Sequence, residues 1–371
     1  MDSQTLKGVK VAVIGGGYGG ACAAKALSLT GAQVELYEQA NEIREVGAGI
    51  GLRPSSMEQF RRWGIFDAIA AVSSPSDMFE ILTPTGEFII SEPWPGMDDY
   101  DVFTKTHLIH RGDFIDALIG VLPPEMVHLG HRASGIVDHG SSATVTFTNG
   151  NSVTADLIVG ADGIRSTIRE QLFSKQEPVF AGEHAYRAVV PAEATYGLAK
   201  DDNFRMYIGR GTKVYFLPLR HRGDVSYDVT ARQDDPTPNP VRTREHLIGL
   251  LEGYDDRLVQ IARDLDMSQV NVRAVYDIDP VDTWHSDSVA LLGDAAHAMC
   301  HHQGQGANSA ILDAGGLADA LLEADSLKEA LALYQATRKP VTDELQRISR
   351  QGWDDAEPID DVFPGQKTAA N

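Results

Sequence analysis

The feature that most constrains this chain is the run Gly15-Gly-Gly17-Tyr-Gly-Gly20, set between an apolar stretch and a helix-forming one. Val9 to Ile14 reads as a buried parallel strand, Ala21 to Thr30 as a helix closed by Gly31, and Gln33 to Glu38 as a second strand. A strand–helix–strand unit of this kind commits the chain to a parallel sheet with a right-handed crossover. The glycines fit G-x-G-x-x-G. Gly15 permits the tight turn, Gly17 lets the backbone approach a pyrophosphate, and Gly20 lets helix and strand pack closely. Glu38 ends the second strand, where its carboxylate can accept two hydrogen bonds from a ribose and repel a 2′-phosphate. The motif predicts dinucleotide binding without saying which dinucleotide.

The remainder supports an α/β core with an insertion. Helices are predicted over 55–63, 112–121, 166–173, 243–251, 256–264 and 306–324, and strands over 156–160, 213–219, 225–230 and 289–292. Asn149-Gly150 marks a hairpin between Ala143–Phe147 and Asn151–Ala155. Between about Glu183 and Asp277 the texture becomes alternating strand. The 371 residues leave room for two domains. The division predicted is 1–76, 103–180 and 281–352 for a discontinuous nucleotide-binding domain and 77–102 with 181–280 for a substrate domain, with 353–371 as an acidic, flexible tail. A formal charge of −21 disfavours a nucleic-acid or anionic-membrane footprint. No apolar run is long enough to span a bilayer, and the first residues do not read as a signal peptide. The two cysteines, Cys22 and Cys300, cannot build a disulfide framework, so a reducing cytoplasm is the expected location.

Two later motifs identify the dinucleotide as FAD. Asp156-Leu-Ile-Val-Gly-Ala-Asp162-Gly163 and Leu292-Gly-Asp294-Ala-Ala-His297 each place an aspartate at the end of a buried strand. A flavin ligand is longer than its ADP half and needs a second acid for its ribityl hydroxyls, for which Asp294 is the candidate. Gly304-Gln-Gly306-Ala307 opens the long helix, whose N–H groups can face the flavin ring edge that becomes anionic on reduction, worth about 0.3–2 kcal/mol.

With these pieces in place the chain resembles the single-component FAD-dependent aromatic hydroxylases of the para-hydroxybenzoate and salicylate type. It is nearest in pattern to 6-hydroxynicotinate-type hydroxylases. The resemblance rests on the fingerprint, Arg44-Glu-Val-Gly-Ala-Gly49-Ile50, Arg111 in Ile-His-Arg-Gly-Asp, Asp162-Gly163, Gly293-Asp294, Val214-Tyr215 and Tyr334-Gln-Ala-Thr-Arg338-Lys-Pro340. It implies a Rossmann-like FAD-binding domain of the glutathione-reductase type, an inserted β-sheet-rich substrate domain and a C-terminal helix. It implies further that Glu38 binds the adenosine ribose, that Arg44 and Arg111 bind FAD, and that Asp162-Gly163 serves both FAD and a transient NADH or NADPH. The reaction implied is hydroxylation of a phenol- or pyridinol-like ring with NAD(P)H and O2 through a flavin C4a-hydroperoxide, by a monomer or homodimer. Two other readings stay open: an FAD-dependent enzyme that epoxidises, reduces or isomerises a non-aromatic substrate, and an FAD-binding protein with little turnover.

The chain also departs from the pattern. Ala298 and His301 stand where the family carries prolines, and Gly51 where hydroxynicotinate enzymes carry histidine. His302, His301 and Tyr215 are the candidate acid–base residues, since histidine titrates near neutral pH; polar filler at a helix start is the competing reading for the histidines. No third ligand lies at suitable spacing, so no metal site is expected. Cys300, Cys22 and His297 read as structural.

Overall fold

The computed structural model describes residues 6–42, 48–94, 105–233 and 237–351. The strand β1 (Lys10–Ile14), the helix α1 (Tyr18–Ser28) and the strand β2 (Gln33–Tyr37) form the unit read from the sequence. They belong to a five-stranded parallel sheet ordered Val289–Leu291, Leu157–Gly160, β1, β2, Val127–His128. Val11 to Ile14 are buried in succession, which shows that both faces of β1 are covered and explains why the sequence lacks alternation there. The hairpin Ala143–Phe147/Ser152–Ala155 is antiparallel; Phe147 N–H donates to the Asn151 carbonyl at 2.9 Å, which closes a three-residue loop with Gly150 at φ +86° in its left-handed position.

Strands from two separate stretches of chain build a second, seven-stranded sheet. Its order is Asn271–Asp277, Val179–Pro191, Asp224–Arg232, Thr212–Leu219, Phe204–Gly209, Met78–Leu82, Phe88–Pro93. One face carries Tyr186, Val214, Phe216, Tyr227 and Val229 into a core closed by Leu247, Leu258 and Ile261 from the helices Arg244–Leu250 and Asp256–Asp264. The period of two then turns Arg187, Tyr215, Leu217, Ser226, Asp228 and Thr230 to the opposite face. That face is crossed by the short strand Gly49–Leu52, and Gly49 N–H donates to Ser226 Oγ at 2.7 Å. A Cβ on Gly49 would lie 2.9 Å from Ser226 Cβ and 3.2 Å from Leu217 Cβ, so only glycine permits this crossing.

Two long helices, Gly306–Glu323 and Leu327–Ser349, complete the chain. They meet through a buried polar cluster. Asp313 accepts from Gly293 N–H at 3.2 Å, from His297 Nε2 at 2.5 Å and from Arg338 Nε at 2.8 Å. Tyr334 donates to the Leu291 carbonyl at 3.0 Å. The Tyr334…Arg338 motif thus anchors the C-terminal helix to the loop that follows the strand Val289–Leu291. His297 is fully buried in this cluster, in the structural role expected of it. Cys22 and Cys300 are both buried, and burial pushes both thiols up, with Asp277 and Glu183 adding to the shift at Cys300.

Candidate active site

A cavity of ≈ 390 Å³ opens between the two sheets. It begins at the fingerprint and ends against the polar face of the seven-stranded sheet. Gly17, Gly163, Gly304 and Gly306 line it. At the first three a Cβ would meet nothing within 4 Å, and at Gly306 only Met299 at 4.0 Å. Here glycine exposes bare backbone to the cavity and is not forced by protein packing. Gly15 and Gly20 have the opposite reason. A Cβ on Gly15 would fall 2.2 Å from the Ala161 carbonyl oxygen, and one on Gly20 would fall 1.8 Å from the Gly15 carbonyl oxygen.

Both helices that start at the cavity, α1 and Gly306–Glu323, lack a side-chain cap and any acid in the first turn. Their first N–H groups are therefore left for a ligand, and a helix N-terminus favours an anionic or electron-rich one. Asp294 follows the strand Val289–Leu291, lines the cavity with an exposed side chain, and makes no hydrogen bond or ion pair among the described residues. Arg111 opens the helix Arg111–Gly120 and sits over the Tyr18 ring at 5.2 Å, also on the cavity wall. Asn308 holds the far rim together. Its side chain accepts from Arg53 N–H at 2.8 Å and Ser56 Oγ at 2.7 Å, and donates to the Gly51 and Gly304 carbonyls at 2.9 Å each.

Two expected ligand carboxylates have protein partners. Glu38 accepts from Gly16 N–H at 2.6 Å and Ala40 N–H at 2.8 Å, which pins it beside the fingerprint turn. Asp162 accepts from Thr167 N–H at 2.8 Å at the start of the helix Thr167–Leu172, and from Oγ of Ser166, the N-cap of that helix, at 2.5 Å. Burial raises the Asp162 carboxyl in spite of these bonds. Its neighbours Ala161 and Gly163, and not Asp162, line the cavity. Arg44 lies outside the described residues.

At the sheet end the three acid–base candidates meet. Tyr215, His301 and His302 all line the cavity. Tyr215 Oη lies 3.5 Å from His302 Nδ1, and the other ring nitrogen, Nε2, lies 2.9 Å from Glu183 Oε2. Lys213 Nζ is 3.5 Å from the same Nδ1 and 3.8 Å from Glu183 Oε1. Burial would raise the Glu183 carboxyl, but the His302 hydrogen bond and the charges of His302, Lys213 and Arg232 hold it below the usual carboxylate range. In the neutral tautomer with the proton on Nε2, facing Glu183, Nδ1 is an acceptor turned towards Tyr215 and Lys213. His301 is set differently. Its Nε2 lies 3.0 Å from Thr230 Oγ1, and burial with the charges of Arg187, His302 and Lys213 drives its pKa well below 6.5, so it is neutral at pH 7.

Sequence reasoning missed Glu183, Lys213, Arg53, Arg187, Asp228 and Trp94. Lys213 was within reach, because it stands two residues from Tyr215 on one strand and so shares its face. Glu183 and Asp228 come from other strands, and no local pattern announces them.

Among the described residues no group of three His, Cys, Asp or Glu could hold a metal, and no helix is long and apolar enough to cross a membrane. The cavity suits a flavin dinucleotide: bare-backbone walls, two uncapped helix starts and one unpartnered carboxylate match its phosphates, ring edge and ribityl hydroxyls. Comparison with known proteins agrees. The family described as FAD binding domain matches residues 8–349. The 6-hydroxynicotinate 3-monooxygenase of Pseudomonas fluorescens is 33% identical over 361 residues, covering 92% of this chain and 90% of that protein. The aurachin C monooxygenase/isomerase of Stigmatella aurantiaca is 31% identical over 331 residues, covering 89% and 85%. The tetrameric form of 2-methyl-3-hydroxypyridine-5-carboxylic acid oxygenase superposes with a TM-score of 0.76 at 27% identity, over 92% of this chain and 90% of that one. HpxO of Klebsiella pneumoniae, complexed with FAD and uric acid, shares the fold with a TM-score of 0.84 at 24% identity, over 94% and 89%. The family match runs through almost all of the described fold, and the chain belongs to the FAD binding domain family as an FAD-dependent monooxygenase of the aromatic-hydroxylase kind.

Proposed function

We propose that this monooxygenase hydroxylates a ring carbon of a hydroxylated aromatic or N-heteroaromatic substrate, with His302 accepting the proton of the ring hydroxyl. The balanced reaction consumes the substrate, O2, NAD(P)H and a proton, and yields the hydroxylated ring, NAD(P)+ and water. Bound FAD supplies the redox chemistry that links NAD(P)H to O2. The observation that carries the reading is the line Tyr215 Oη, His302 Nδ1, His302 Nε2, Glu183 Oε2, at 3.5 and 2.9 Å between successive residues, with Tyr215 and His302 on the cavity wall. A ring hydroxyl with a pKa near about 10 is protonated at pH 7, and its ring becomes nucleophilic when a base takes the proton. Glu183 orients the imidazole, and Tyr215 orients the hydroxyl.

The same reading gives the remaining residues their parts. Gly15, Gly17 and Gly20 with the α1 N-terminus hold the pyrophosphate, and Glu38 and Arg44 the adenosine end. Arg111 and the Asp162-Gly163 turn support FAD from the side, and Asp294 takes the ribityl hydroxyls. Gly304, Gly306 and Ala307 present backbone to the flavin ring. NADH or NADPH binds transiently, since the single G-x-G-x-x-G is used by FAD. The test is a panel of phenols, pyridinols and quinolones with NADH or NADPH and the yellow protein. Ring-stimulated NAD(P)H oxidation with one oxygen atom added to the ring supports the reading. Reduction, epoxidation or isomerisation of a non-aromatic compound, with no ring accepted, refutes it.

A further inference from the structure

One charged pair in the cavity has no part in the proton chemistry just described. Arg187, Asp228 and Tyr215 stand opposite one another on three neighbouring strands of the seven-stranded sheet. Their side chains share the face that lines the cavity. Arg187 Nε is 2.9 Å from Asp228 Oδ2. Asp228 is buried, and its Oδ1 has no hydrogen-bond partner among the described residues. Arg187 makes no other ion pair and no hydrogen bond there. A buried carboxylate oxygen without a donor carries a desolvation cost that a ligand N–H would relieve.

We propose that Arg187 and Asp228 form a donor–acceptor subsite for the lactam edge of an N-heteroaromatic substrate. The proposal rests on the monooxygenase reading above and names its substrate class. Asp228 Oδ1 accepts the ring N–H while the Arg187 guanidinium donates to the adjacent ring carbonyl. Because the two side chains touch, acceptor and donor stand side by side, as the N–H and C=O of a cyclic amide do. A ring carboxylate fits this place badly. The Arg187 charge is already answered by Asp228, and a second anion would meet Asp228 as a like charge.

The cavity's other guanidiniums stand apart from this pair, and Arg53, whose buried Nη1 has no hydrogen-bond partner among the described residues, is at the aromatic end. Arg111 lies over Tyr18 beside the fingerprint, and Arg53 lies over the Trp94 ring at 4.7 Å. Trp94 packs on Phe79 and Phe204, whose strands are separated from that of Arg187 by the two strands carrying Asp228 and Tyr215. The sheet therefore grades from a polar donor–acceptor end to an aromatic end, which suits a fused or apolar-substituted ring.

The test titrates the full-length, FAD-loaded protein, without NAD(P)H, with 2-quinolone, N-methyl-2-quinolone and quinoline-2-carboxylate, following flavin absorbance and fluorescence. The expectation is that 2-quinolone binds about tenfold or more tighter than either of the others, because a site built to pair an N–H rejects the analogue lacking it. Asp228→Asn keeps the shape and removes the charge, so it should shift the carboxylate-to-lactam affinity ratio by about tenfold towards the carboxylate. FAD content and circular dichroism check that the variant is folded, and the N-methyl comparison needs no variant. N-methyl-2-quinolone binding as tightly as 2-quinolone, the carboxylate binding tightest, or no flavin response to any probe overturns the proposal. If a carboxylated ring is hydroxylated while lactams do not bind, the subsite fails and the monooxygenase reading stands. If 2-quinolone binds as expected and no ring is ever oxidised, the subsite stands and that reading fails.

Discussion

Replacing Asp313 by alanine should cost about 3–5 kcal/mol of stability, the range found when one partner of a buried ion pair is removed. Asp313 is fully buried and holds three groups at once: Gly293 N–H, the His297 ring and the Arg338 guanidinium. In the variant Arg338 keeps its charge with no compensating carboxylate, while His297 and Gly293 N–H lose their acceptor in a site water does not reach. At about 2.1 cal/mol/K per residue, 371 residues give a Tm change of about 1.3 °C per kcal/mol, so the fall should be about 4–6 °C. Differential scanning calorimetry of the FAD-loaded protein measures it. The pH dependence has a definite sign. Burial works to raise the Asp313 carboxyl, but the charges of His297 and Arg338 and their hydrogen bonds hold it below the usual value. A depressed carboxyl contributes stability that is fully present above the unfolded pKa of about 3.9 and is lost as pH falls through the lower folded value. This group's part of the gap between parent and Asp313→Asn should therefore stay constant from pH 7 to about pH 5 and close only below about pH 4. A loss under about 1 kcal/mol, or a gap that closes near neutral pH, would refute the account of this cluster.

Four further outcomes follow from the site. Asp294→Ala should weaken FAD binding by about 10- to 150-fold by equilibrium dialysis, the equivalent of one charge-assisted hydrogen bond at about 1.5–3 kcal/mol; unchanged retention would remove Asp294 from the ribityl site. His302→Ala should keep FAD and lose about 10²–10⁴-fold in hydroxylation at pH 7, with partial recovery at high pH where the substrate ionises unaided. A loss without recovery would move the proton acceptor to His301 or Tyr215. Gly20→Ala should abolish FAD retention or folding, because its Cβ would fall 1.8 Å from a backbone oxygen. At Gly17, where a Cβ meets no protein atom within 4 Å, alanine should fold normally and weaken only FAD binding, read by thermal melts with and without FAD.

The sequence alone determined the elements whose signals are local. The fingerprint with β1, α1 and β2, the Asn-Gly hairpin and the helices Asp256–Asp264 and Gly306–Glu323 were legible within three residues at every boundary, because strand burial, helical spacing and turn glycines act over short stretches of chain. The family resemblance came from the same short motifs, and so did His301, His302 and Tyr215. The tertiary structure decided what those residues face. Glu183 reaches His302 from a strand more than a hundred residues away in sequence, and Arg187, Asp228 and Tyr215 become one row only when three strands align in register. It also turned Glu38 towards Gly16 N–H of the fingerprint turn and Asp162 towards the N–H of Thr167, pairings no spacing rule states. The physical reason is common to all of these. Local structure follows from steric and hydrophobic preferences of neighbouring residues, whereas charge pairing in a cavity depends on sheet register, which the packing of both faces sets at once.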